Sequence, residues 1–276
     1  LKINDIKELS IQINLNGLSF CILNKTQNSI EFLNTITFDV KQTPDEVLQL
    51  LKEELSQQTV FSEDFNAVRV IHQNELSTLV PEELYDEQYK TDYLKFNSRI
   101  LRNDFITEDR LSTNNSVNVY VPYVNINNYI FDTFGAFEYK HASSILIDAL
   151  LNLTQEPEED LTAKAKVYIH VNTASIELLV VNGTQLELFN TFEYYSKEDF
   201  LYYILFVFEQ LKLDPETTEV ELAGHISLGD ELYVLLYTYI RHLNFVDKDY
   251  NYAIDTDLDR RYLYHYFLIL NSFECA

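Results

Sequence analysis

Apolar and polar residues alternate along Ile11 to Phe38 in three bursts: Ile11-Ile13-Leu15, then Phe20-Ile22, then Ile30-Phe32 running on to Phe38. A period of two puts alternate side chains on one face, and Asn and Gly separate the bursts. The stretch therefore predicts three antiparallel strands. The period then changes. Val47, Leu48, Leu51 and Leu55 recur at helical spacing, and the start is marked by Thr43 as N-cap, Pro44 at the first position and Glu46 three residues after the cap.

The same order returns. Val167-Ile169-Val171, Ile176-Leu178 and Leu186-Leu188 to Tyr194 repeat the bursts, and a helix is predicted from Ser196, with Asp199 three residues on. Phe200 to Phe208 is apolar all round, which predicts a buried helix. The two segments superpose without a gap, with Ile13 on Ile169, Asn16 on Asn172, Ser19 on Ser175, Leu23 on Leu179, Glu31 on Glu187, Asn34 on Asn190 and Thr35 on Thr191. After each helix comes another strand, at Val68 to Ile71 and at Val220 to Ala223, then a helix near Pro81 to Tyr85 and near Asp230 to Leu243.

The acidic stretch Gln155 to Asp160 has no apolar periodicity and reads as a junction. The expected halves are 1–160 and 161–276, the first carrying a charged insertion near 85–116. Val117-Val119-Val121 reads as a strand, and Asn125 to Phe134 and Ser143 to Leu153 as helices. The second half ends on a strand near Phe245 and a helix near Tyr262 to Phe273.

Composition narrows the function classes. The chain has 44 acidic and 20 basic residues, a formal charge of −24, which repels phosphate backbones and anionic lipid head groups. No nucleic-acid binding and no membrane insertion are expected, and the longest apolar run, Phe200 to Phe208, is too short to span a bilayer. The charge serves solubility or a basic protein partner. Cys21 and Cys275 lie far apart in apolar contexts, as expected of buried thiols in a cytoplasmic protein. The six His make no metal-ligand pair at helical spacing. Asp255, Asp257 and Asp259 alternate as in a calcium loop but lack its Gly and closing Glu. No metal site and no catalytic constellation are expected.

Three antiparallel strands, a helix and alternating strands and helices resemble the ribonuclease-H-like unit. Two such units resemble the actin-like ATPase fold of sugar kinases, heat-shock chaperones and actin, nearest to cytoplasmic pilus-assembly actin homologues. With its Leu79-Val80-Pro81 segment and Cys-Ala ending, the chain also resembles an uncharacterised bacterial family of unknown function assigned to that fold. The resemblance implies an α/β protein with a mixed five-stranded sheet in each half and ATP with magnesium between the halves. It places the first phosphate loop at Asn14-Leu15-Asn16-Gly17-Leu18-Ser19, where Gly17 and Ser19 match and the expected acid is Asn14. It places the second at His170 to Ser175, where Asn172, Thr173 and Ser175 stand without the expected Asp and Gly and His170 takes the acid position. The adenosine motif is reduced to Gly224-His225. Asn and His cannot supply the full negative charge that holds a magnesium–water shell. As plain structure, Asn16-Gly17 is also a preferred hairpin turn.

Two functions follow. The first is a non-catalytic protein-binding or scaffolding member of the fold, with no cofactor. The second is a divergent ATPase or kinase that still uses magnesium ATP. For the first, the expected partner surface includes part of Tyr85 to Arg110, where Tyr85, Tyr89, Tyr93 and Phe96 fall on one helical face among Asp86, Glu87 and Asp92. That face serves equally well to pack on the protein's own first half.

Overall fold

The structure, a computed structural model, describes residues 5–96, 98–154, 165–254 and 258–274 of the chain. The junction Gln155 to Asp160, Asp255, Asp257 and Cys275 lie outside these residues.

The chain opens with β1 (Lys7–Asn14), β2 (Gly17–Asn24) and β3 (Ser29–Thr37), antiparallel as the alternation predicts. Helix α1 (Pro44–Gln57) starts in a full capping box, the Thr43 hydroxyl accepting from the Glu46 amide while the Glu46 carboxylate accepts from the Thr43 amide. It buries Val47, Leu51 and Leu55, each contributing on the order of 2 kcal/mol by area. Strand β4 (Ala67–His72) returns parallel to β1.

The inserted segment follows as β5 (Ser77–Pro81), α2 (Lys90–Lys95), β6 (Thr107–Leu111) and β7 (Ser116–Tyr120). These strands form their own three-stranded sheet, ordered β5-β7-β6 and closed by Val80, Leu94, Val117 and Val119. The helix expected near Pro81 to Tyr85 is a single 3₁₀ turn, Glu82–Leu84. The aromatic face from Tyr85 to Phe96 is not one helix. Tyr85 and Tyr93 pack on the core of the small sheet with ring centroids 6.0 Å apart, and Tyr93 Oη donates to Leu84 O. Tyr89, Phe96 and Phe105 remain exposed.

Helix α3 (Val124–Phe134), strand β8 (Glu138–His141) and helix α4 (Ala142–Thr154) follow. The duplicate then runs β9 (Ala165–Val171), β10 (Ser175–Asn182), β11 (Gln185–Glu193), α5 (Lys197–Gln210), β12 (Glu219–Gly224), α6 (Glu231–Tyr237) and β13 (His242–Phe245). The chain ends with β14 (Ala253–Ile254), a 3₁₀ stretch Arg260–Tyr266 and α7 (Phe267–Asn271). Helix α6 is shorter than the pattern predicts, because its expected last residues form β13.

The strand orders are β14-β3-β2-β1-β4-β8 and β11-β10-β9-β12-β13. Without β14 they are the same mixed five-stranded sheet, with three antiparallel strands and then two parallel ones. In each, the helix after the third strand covers one sheet face, α1 over Leu9, Ile11 and Ile13 and α5 over Val167, Ile169 and Val171. Helix α5 is not buried all round, since Tyr202 and Phe206 face solvent. The described residues form two compact units: one from 1–146, 250–258 and 268–276, the other from 147–249 and 259–267. The chain thus returns to the first unit near its end, where the sequence alone assigns all of 161–276 to the second half.

Candidate functional site

In the first unit the β1–β2 turn is a tight hairpin in which Asn14 pairs with Gly17. The Asn14 side-chain oxygen accepts from the Asn16 amide at 2.7 Å and from Asn16 Nδ2 at 3.3 Å. The carbonyls of Leu15 and Asn16 accept from the amides of Gln42 and Phe38. A Cβ on Gly17 would lie 2.5 Å from Ile36 O, so the glycine is required by the neighbouring strand. The Ser19 hydroxyl lies 3.0 Å from that of Thr35. Beside the turn, Gln12 Nε2 donates to Gln73 Oε1 at 2.9 Å.

In the second unit the turn runs from Asn172 to Ser175, the Asn172 amide donating to Ser175 O at 2.8 Å. Asn172 Nδ2 donates to Glu177 Oε2 at 2.6 Å and to Ser175 Oγ at 3.2 Å. His170 Nδ1 donates to the same Glu177 oxygen at 2.9 Å. Glu177 is only 3% exposed. Tyr194 binds the turn twice, its hydroxyl donating to Asn172 O at 2.6 Å and its amide to Ala174 O at 3.0 Å. Thr173 Oγ1 and His225 Nδ1 are 3.4 Å apart. Gly224 has φ +81°, and a Cβ there would meet Val171 O at 2.2 Å. Gly224 O accepts from His265 Nδ1 at 2.8 Å, while His265 Nε2 lies 3.1 Å from Ser227 Oγ. Desolvation and the neighbouring imidazoles of His170 and His265 hold His225 below the usual histidine range.

These contacts revise the residue-by-residue equivalence of the two copies. The Gln73 amide donates to Ile13 O, and the His225 amide to Val171 O. Phe38 binds Asn16 O where Tyr194 binds Ala174 O. Ile13 therefore matches Val171, and Asn14 matches Asn172 rather than His170. The gapless superposition is two residues out in the first hairpin. The β2–β3 loop, 25–28, restores the register by being two residues longer than the β10–β11 loop, 183–184. With this register, Gln12, Ser19 and Gln73 in the first unit correspond to His170, Glu177 and His225 in the second. An amide and hydroxyl set in the first unit stands where imidazoles and a carboxylate stand in the second. The sequence reading missed Gln12, Gln73, Glu177 and His265. Glu177 carried a signal, a lone charge in the apolar run Ile176 to Val181. Among the described residues, no group of three or more His, Cys, Asp or Glu is arranged to hold a metal ion.

Two sheets of matching strand order, each with its helix after the third strand, define a protein of the actin-like ATPase fold. The chain belongs to a family described as protein of unknown function (DUF3822), whose profile matches residues 2–243. A Bacteroides thetaiotaomicron protein with an actin-like ATPase fold and unknown function is similar at 23% identity and TM-score 0.76, over 88% of this chain and 91% of that one. A chain of the PilM–PilN type IV pilus biogenesis complex shares the fold at 12% identity and TM-score 0.67, over 96% of each chain. The ethanolamine utilization protein EutJ from Carboxydothermus hydrogenoformans is similar at 6% identity and TM-score 0.51, over 98% of this chain and 91% of that one. No curated protein matches the chain.

Proposed function

We propose that this chain is a non-catalytic member of the actin-like fold that acts in the cytoplasm by binding another protein. One observation carries the reading: both loops that the fold would use for phosphate are tied up by the chain's own groups. In the first, Asn14 holds Asn16, and Gly17 is needed against Ile36 O. In the second, a buried Glu177 carboxylate lies directly under Asn172. A buried carboxylate beside the loop disfavours a triphosphate there by charge repulsion. These contacts support a reading in which neither loop holds a magnesium nucleotide.

Protein binding is supported by the likeness to a chain of the PilM–PilN complex. It is also supported by exposed aromatics that the core does not use, among them Tyr89, Phe96 and Phe105 of the inserted segment. The test is a steady-state ATPase assay of the untagged protein with magnesium. No turnover above a blank is expected. Turnover abolished by replacing Ser19 and Thr173 with Ala would establish an enzyme instead.

A further inference from the structure

On α5, Glu198, Tyr202, Phe206 and Glu209 form one exposed stripe at helical spacing. Tyr202 and Phe206 are 61% and 42% exposed, and their rings stack at 6.1 Å. The fold itself does not ask for them. Aligning α1 and α5 from their N-caps, Thr43 and Ser196, puts Gln49 and Glu53 at these two positions of the first unit. There the pair is polar, Gln49 Nε2 donating to Glu53 Oε1 at 2.8 Å. The neighbouring α6 packs on the same core and also exposes Val234 and Tyr237. An ion pair between Lys197 and Glu231 ties the starts of the two helices together.

We propose that this face docks a basic amphipathic helix of a partner protein, with an apolar stripe of about two turns and Lys or Arg near each end. Charge selects that occupant. Glu198 and Glu209 bound the aromatic pair at both ends, about 16 Å apart at the rise of an α-helix. The cation nearest the stripe in sequence, Lys197, is already engaged by Glu231. At a formal charge of −24 a second copy of the chain would bring like charges together, and an anionic lipid surface would be repelled. The aromatic pair supplies desolvated anchoring, and two packed helices offer ridges against which a third helix packs.

The proposal rests on the protein-binding reading above and adds the surface and the chemistry of the partner. Its test uses the full chain and two synthetic Leu/Lys peptides of identical composition, one amphipathic as a helix and one scrambled, with affinities read by fluorescence anisotropy at physiological salt. The amphipathic peptide should bind at least tenfold tighter than the scrambled one. Tyr202→Gln/Phe206→Glu, which copies the first unit, should remove that preference while leaving the circular dichroism melt unchanged. Glu198→Gln/Glu209→Gln, which leaves the helix packing untouched, should weaken the amphipathic peptide several-fold. Equal binding of both peptides, full preference in the aromatic variant, or no effect of the charge variant would each overturn the proposal. A dimer in sedimentation that the aromatic variant dissolves would assign the face to a second copy instead. Saturable ATP binding would count against the underlying reading, whereas peptide failure without it removes only this face.

Discussion

His72 ends β4, and its burial contributes to the pH response of stability. It is fully buried, its Nε2 donating to Asn127 Oδ1 at 2.9 Å and its Nδ1 accepting from the Tyr123 amide at 3.3 Å. Burial, which disfavours the charged ring, pushes its pKa down from 6.5 to about 3. Between those values the unfolded chain binds the proton and the folded one does not. The stabilisation is therefore complete above about pH 6.5 and is lost as pH falls toward 3, by up to about 1.4 kcal/mol per pH unit. Urea midpoints should drop from pH 7.5 to pH 5, and His72→Gln should flatten that slope. An unchanged slope in the variant would assign the acid response to other groups. At the same scale, Glu177 explains why residue types alone misplace the second loop. Its role depends on what lies across the hairpin, His170 and Asn172, and that follows from the strand register.

At the scale of elements, much was legible. The three-strand, one-helix order and both helix starts follow from period and caps, because each is a local property of the chain. The Ser196 hydroxyl accepts from the Asp199 amide at 3.1 Å, and the Asp199 carboxylate reaches the Tyr195 amide rather than that of Ser196. Ser196→Ala should therefore destabilise the protein by about 1 kcal/mol, read from denaturant unfolding. No loss would mean that packing of Phe200 and Ile204 alone holds the helix start. The hairpin register was not legible, for a definite reason. A slip of two residues keeps every side chain on its own face, so alternation cannot detect it. The cross-strand bonds at Ile13 and Val171, and those at Asn16 and Ala174, reveal it. The inserted segment misled for another reason. Its aromatics recur at helical spacing, but the chain there is two 3₁₀ turns and a short helix over a small sheet, so Tyr85 and Tyr93 turn inward while Tyr89 and Phe96 do not. Helix α5 misled in the opposite direction, since a segment apolar all round still turns Tyr202 and Phe206 to solvent.

At the scale of the whole molecule, duplication has preserved architecture and let the loops diverge. The two sheets keep one strand order, while Gln12, Ser19 and Gln73 in one correspond to His170, Glu177 and His225 in the other. The first set carries no carboxylate, and the one carboxylate of the second, Glu177, is bonded by His170 and Asn172. The fold alone does not decide function, because function resides in the site it carries. The measurement that bears most directly on this account is titration calorimetry of the untagged protein with ATP, and separately ADP, in the presence of magnesium. No saturable heat is expected up to millimolar nucleotide. A saturable isotherm that depends on magnesium, weakened by Thr173→Ala, would contradict it.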